Sequence, residues 1–193
     1  MFVQICVGQN TIAKKGTLSK NEFYSKEFRW KILIPAGFES ESAEQYEALH
    51  KNGAAELEKS LNGKIKDQSK QICSFKNEKF NYFEANEQPF DAKTEAEYLT
   101  ICKNVDDLLY NNFKKQTGDD AKIDTTLSIE KIDGLAFQCF KLQMISNDEI
   151  IMNMFTYSRL FNKKEFTVAI VFINKEKGDL ILDAWRNSKF ERN

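Results

Sequence analysis

The chain has 193 residues, a length that suits one domain better than two. It carries 28 basic and 29 acidic side chains, so its net charge is -1. This balance argues against a dedicated nucleic-acid-binding protein, which needs a basic surplus to displace counterions from phosphates. No apolar run approaches the roughly 20 residues that cross a bilayer, so no transmembrane segment is expected.

The N-terminal residues 1–22 differ from the rest of the sequence. The stretch FVQICVG is apolar, ends in small residues, and is followed by a polar stretch. Two interpretations stay open: the remnant of a secretory signal that starts upstream of Met1, or an ordinary N-terminal strand. The first predicts a periplasmic or cell-envelope protein and the second a cytoplasmic one. In both, residues 23–193 form the single folded domain.

The first predicted strand lies in EFRWKILIP. Phe28, Trp30, Ile32 and Ile34 alternate with polar residues, which indicates a strand with one buried face. Pro35 cannot donate to a ladder and ends the strand. We expect this strand to start the central sheet.

Two predicted helices flank a hairpin. Ser42 and Gln45 fit a capping box at the start of a helix that ends at Asn62-Gly63. Two β-like runs then meet at an Asn77-Glu78 turn. Thr94 and Glu97 form a second capping box. The helix that follows carries a broad apolar stripe, expected to face the core, of Tyr98, Ile101, Cys102, Val105, Leu108, Leu109 and Phe113.

The second half of the chain is rich in β-strands. Asp133-Gly134, Asn147-Asp148 and Asn162-Lys163 are turn signals that divide a four-strand meander. Its last strand, EFTVAIVFIN, is apolar on both faces and is expected to be central. A closing helix is predicted after Gly178-Asp179, with Leu180, Ile181, Ala184 and Trp185 facing inward. The grouping of strands in hairpins predicts an α+β fold, an α/β/α sandwich around a mostly antiparallel sheet.

Three stretches resemble the PsbP-like superfamily, which includes an extrinsic photosystem II protein, a Ran-binding nuclear import factor and bacterial envelope proteins. FRWKILIPAGF is similar to the opening strand of that family, and LFNKKEFTVAIVFINKE to its penultimate element. LILDAWRNSKFERN resembles the closing helix, although Lys189 separates the usual Ser-Phe pair. The resemblance implies an α/β/α sandwich in proteins that mostly bind other proteins. It identifies no functional residue in this chain.

The sequence contains few groups suited to catalysis. Neither GxGxxG nor GxxxxGK[ST] occurs, and His50 is the only histidine, so multi-histidine metal sites are excluded. Cys73, Cys102 and Cys139 lie in apolar stretches and are interpreted as buried free thiols, although a disulfide stays open. We therefore predict no catalytic, cofactor-binding or metal-binding residue, and no cofactor.

The leading hypothesis is a non-catalytic module that binds another protein through one face of the sandwich. One alternative is a hydrolase or transferase that uses His50 with a cysteine, or the paired acids Asp106 and Asp107. Another is a carrier of a small apolar ligand, which requires an open cavity between the sheet and a helix. The 16 phenylalanines motivate that second alternative.

Overall fold

A computed structural model describes residues 16–19, 21–41, 69–78 and 80–191. The helix predicted between Ser42 and Asn62 lies outside these residues. The described part contains the strands and helices β1 Gly16–Ser19, β2 Glu22–Ser25, β3 Trp30–Leu33, β4 Glu39–Ser40, β5 Lys70–Asn77, β6 Asn81–Pro89, α1 Glu95–Thr117, β7 Lys122–Ile132, β8 Leu135–Ser146, β9 Glu149–Phe161, β10 Lys164–Phe172, α2 Lys175–Arg186 and β11 Lys189–Phe190.

The strands form two antiparallel sheets. The larger has seven strands in the order β4-β5-β6-β10-β9-β8-β7, and the smaller has four in the order β1-β2-β3-β11. The predicted central strand is confirmed, because β10 is the middle strand of the larger sheet. The opening strand lies elsewhere than expected: β3 belongs to the smaller sheet. Strand β1 falls within the N-terminal segment 1–22 and pairs with β2.

Two-residue turns connect the meander as predicted. Asp133, Asn147 and Asn162 all have φ between 43° and 49°, and the residue after each also has positive φ. This left-handed backbone matches the twist of the flanking strands, and Asn, Asp and Gly adopt it at little cost. The turns therefore fix the register of three consecutive strand pairs.

The two described helices pack on opposite faces of the seven-stranded sheet. We name these the α2 face, where Phe166, Val168 and Ile170 of β10 point, and the α1 face, where Phe140 and Leu142 of β8 point. On the α2 face, the buried side chains join Ile181 and Trp185 of α2 in the main core. On the α1 face, Leu109 and Phe113 of α1 complete a second, smaller core. This arrangement is the α/β/α sandwich predicted from the sequence.

The smaller sheet packs on the α2 face beside helix α2. Its Trp30 is fully buried and lies among aromatic rings, with centroids 5.2 Å from Phe166 and 6.1 Å from Trp185. Phe75 and Phe83 of the larger sheet stack at 4.4 Å with an angle of 3° between their planes. Closely packed rings thus fill the layer between the two sheets, and many of the phenylalanines counted in the sequence are used here.

Helix α2 begins earlier than predicted. Asn174 caps it by accepting a hydrogen bond from the Lys177 amide, so Gly178 lies within the first turns and does not precede the helix. A Cβ atom at Gly178 would overlap the ring of Phe172. The glycine is therefore required for close helix–strand packing. The inward face also differs from the prediction, because Leu182 is buried and Leu180 is 39% exposed.

Candidate functional site

Helix α1 is well capped at both ends. Thr94 accepts a hydrogen bond from the Glu97 amide, and the Glu97 carboxylate accepts one from the Lys93 amide. The predicted N-cap at Thr94 is confirmed, but Glu97 bonds the amide of Lys93 and not that of Thr94, as a capping box would require. Lys114 and Lys115 lie in the last turn, where positive charge favours the helix dipole. The helix is thus stabilised locally as well as by contact with the sheet.

The apolar stripe of α1 is only partly used in the core. Tyr98 is its one buried residue, and Leu109 and Phe113 pack partly buried on the sheet. Ile101 and Val105, predicted to face inward, are 36% and 49% exposed. That part of the prediction is wrong, because the sheet contacts a narrower sector of the helix than the stripe covers.

The exposed apolar side chains of α1 lie on both sides of its sheet-facing sector. Ile101 and Val105 are four residues apart and therefore share one flank. Leu99 and Tyr110 are eleven residues apart, about three helical turns, and share the other flank. Leu99 and Tyr110 are 38% and 37% exposed. The helix therefore presents apolar groups to solvent along much of its length.

Strand β7 also carries exposed apolar side chains on the α1 face. Leu127 pairs with Phe140 across β7 and β8, and directly paired residues point to the same face, so Leu127 lies on the α1 face. Ile129, two residues on, shares this face, and the two side chains are 60% and 63% exposed. We define the α1 apolar surface as Leu99, Ile101, Val105 and Tyr110.

A polar cluster lies beneath the N-terminal half of α1. The Cys102 sulfur is 3.6 Å from the Ser158 hydroxyl of β9, and Gln88 donates to the carboxylate of Glu165 on β10. Burial raises the pKa of Tyr98, of Cys102 and of Glu165. Because a raised pKa keeps a thiol protonated, Cys102 is a poor nucleophile near neutral pH. One signal for this cluster is visible in the sequence: Glu165 lies near the start of the predominantly apolar central strand.

A second thiol lies on the α2 face. Cys139 donates to Glu130 over 3.7 Å, and the same carboxylate accepts hydrogen bonds from Tyr157 and Arg186. Burial, followed by the charge of Glu130, raises the pKa of Cys139 to about 11. This thiol is therefore protonated as well, and it is positioned as a buried hydrogen-bond donor.

Three cysteines, Cys73, Cys102 and Cys139, are free thiols, as predicted from the sequence. Cys73 and Cys139 lie on strands four positions apart in the larger sheet, roughly 19 Å at normal strand spacing, which excludes a bond between them. Burial also raises the pKa of Cys73. His50 lies outside the described residues, so its relation to these thiols stays a hypothesis.

The paired acids Asp106 and Asp107 lie in different environments. Asp107 forms an ion pair with Lys103 at 2.8 Å. Burial, followed by the neighbouring Asp107, raises the pKa of Asp106 to about 6. Within the described ranges, no three His, Cys, Asp or Glu side chains come together as a metal site would require. In the same part of the chain, neither helix is long and apolar enough to cross a membrane.

The two ends of the resemblance meet in the main core. Trp30 of the opening strand donates its indole N–H to the Ser188 hydroxyl over 3.0 Å. Phe190 pairs with Trp30 across β11 and β3, and their rings stack at 6.3 Å. The spaced Ser-Lys-Phe motif and the opening strand are therefore parts of one packing unit. Their role is structural.

These features define the molecule as an α+β domain with a PsbP-like fold. A solution structure of cyanobacterial PsbP (CyanoP) from Synechocystis sp. PCC 6803 is similar to it, with a TM-score of 0.52. The match covers 98% of this chain and 99% of the other at 12% sequence identity. No family model matches the sequence, and no curated protein is similar enough to count as a match. At this identity the likeness establishes the fold alone.

Proposed function

We propose that the protein is a non-catalytic binding module whose α1 apolar surface contacts another protein. The observation that carries this proposal is the exposure of Ile101 and Val105 on a helix that is capped and packed on a sheet. Large apolar side chains that cluster on a surface mark interaction sites, because water contact costs free energy that a partner removes.

The buried thiols support the same proposal. Cys102 and Cys139 are held protonated, and their neighbours are arranged as hydrogen-bond partners within the protein. A nucleophile would need a lowered pKa or an adjacent base. The carrier alternative draws no support from the layer between the sheets, where rings such as Trp30 and Phe166 pack closely.

The experiment compares Val105→Glu with a matched control, Leu33→Glu. Leu33 is 62% exposed on β3, in the smaller sheet. It is therefore an exposed aliphatic residue like Val105 that lies outside the α1 apolar surface. Proteins captured from the source cells by the wild type should be lost with Val105→Glu and kept with Leu33→Glu. Binding of the purified partner, measured by calorimetry, should weaken at least about ten-fold, or about 1.4 kcal/mol.

Two results would contradict the proposal. Equal binding by Val105→Glu and the wild type would exclude this surface. Purification of the protein with a tightly bound cofactor in a one-to-one ratio would contradict the non-catalytic role. Circular dichroism of each variant controls for folding, and exposed substitutions of this kind normally change the stability by only about 0.5 kcal/mol.

We also propose that the protein is a bacterial protein that acts in the cell envelope. The support is the apolar stretch FVQICVG with the polar stretch after it, together with the resemblance to a superfamily that includes bacterial envelope proteins. Fractionation of the source cells tests this: the protein should be found outside the cytoplasm and should lack residues before the cleavage point. Recovery from the cytoplasm with an intact N-terminus would contradict it.

A further inference from the structure

Strand β7 forms one edge of the seven-stranded sheet. Within the described residues it pairs with β8 and with no strand on its other side. Ile132 and Leu135 close a two-residue hairpin, and such closing residues are hydrogen-bonded to each other. Even-numbered residues of β7 therefore bond to β8, and the amides of Thr125, Leu127 and Ile129 point outward.

This edge has little of the protection that edge strands usually carry. It is eleven residues long, whereas β4 at the opposite edge has two. Residues 125–129 are all exposed and contain neither a charge, nor a proline, nor a glycine. Natural proteins normally shorten or charge such edges, because an open edge is a template for another strand.

The sequence of β7 is complementary to itself in antiparallel orientation. When Thr126 of one copy lies opposite Thr126 of another, Lys122 lies opposite Glu130 of the second copy, twice by symmetry. Ile123 then lies opposite Ile129, which covers an exposed apolar side chain. Neighbouring registers are less favourable, since one places Asp124 opposite Glu130 and the other separates Lys122 from Glu130. Like charges in directly opposed positions destabilise a strand pair.

We propose that a second copy of this chain pairs with β7, on a two-fold axis through Thr126. The two seven-stranded sheets then form one continuous sheet, with both α1 helices on the same side. Odd residues pair with odd residues in this register, so the outward amides of Thr125 and Leu127 bond to the carbonyls of the second copy. The contact is isologous, as in most symmetric dimers.

The first test is the oligomeric state. Analytical ultracentrifugation of the wild type over a wide range of concentrations should show a monomer–dimer equilibrium. Thr125→Pro removes only an outward amide and leaves the bonds between β7 and β8, so it should give a folded monomer. Its circular dichroism spectrum and thermal midpoint control for folding. A wild type that stays monomeric at every concentration would overturn the proposal.

The second test determines the register. Thr126→Lys and Thr126→Glu should each weaken self-association by roughly two- to five-fold, because like charges would meet at the axis. An equimolar mixture of the two variants should recover dimer as a mixed species. The matched control mixes Thr126→Lys with Ser128→Glu. These two charges would lie directly opposite each other only in a register shifted by two residues. The register would be refuted if the mixture with Ser128→Glu recovered the dimer and the mixture with Thr126→Glu did not. It would also be refuted if both Thr126 variants dimerised as strongly as the wild type.

Discussion

Ser188→Ala removes a single hydroxyl group, which is the acceptor of a buried hydrogen bond. The donor, the Trp30 indole N–H, belongs to a fully buried side chain, and Ser188 itself is 3% exposed. Water cannot replace the lost partner at this depth. An unsatisfied buried donor costs about 1–3 kcal/mol, so the free energy of unfolding should fall by that amount. For a domain of this length, each kcal/mol lowers the thermal midpoint by about 2–4 °C.

A double-mutant cycle separates the hydrogen bond from packing. Trp30→Phe removes the donor together with part of the ring, and it should destabilise the domain through lost contacts. In that background, Ser188→Ala should cost much less than in the wild type, with a coupling of about 1–2 kcal/mol. Urea denaturation of the four proteins gives the required free energies.

The reasoning would be refuted by equal costs of Ser188→Ala in both backgrounds. Ser128→Ala serves as the control, because Ser128 is exposed on β7 and should change the stability by no more than about 0.5 kcal/mol. A comparable loss in that control would show that the effect does not depend on burial.

Three further predictions concern packing and titration. Gly178→Ala should lower the unfolding free energy by up to about 2 kcal/mol, since overlap with Phe172 outweighs the helix propensity gained; a stabilised variant would contradict this. Asp106 has a raised pKa of about 6 in the folded protein, so protonation favours folding, and this contribution is lost as pH rises from about 4 through 6. Asp106→Asn should therefore stabilise the protein at pH 7 by at most about 1 kcal/mol after solvent screening, with no gain below pH 4. Cys139 is 2% exposed and has a pKa of about 11, so it should react with iodoacetamide at pH 7.5 only as fast as the protein unfolds. Mass spectrometry can measure this rate, and rapid labelling of the native protein would argue against the burial of Cys139.

Local chemistry made the meander predictable. Turns such as Asp133-Gly134 and Asn147-Asp148 need positive φ at specific positions, and the residues that tolerate it stand out in the sequence. The central position of β10 was predictable for a similar reason, because a strand buried on both faces must be apolar on both. These signals depend on neighbours in the chain and require no knowledge of the rest of the fold.

Other features depend on contacts between distant segments. The alternation of Phe28, Trp30 and Ile32 shows which face is buried, yet it cannot show that the strand belongs to a second sheet. The exposure of Val105 and Leu127 could not be predicted either, because the sequence does not distinguish an apolar residue on the surface from one in the core. The candidate surface could be located only when the structure showed how much of α1 the sheet covers.

The contact between Trp30 and Ser188 joins positions 158 residues apart, whereas each turn of the meander joins immediate neighbours. Closing so long a loop costs conformational entropy before the contact between its ends can stabilise the fold. Folding should therefore be slow for a protein of this size, and its rate should depend on how readily β3 meets β11. The meander, by comparison, can search for its native register within short stretches of chain.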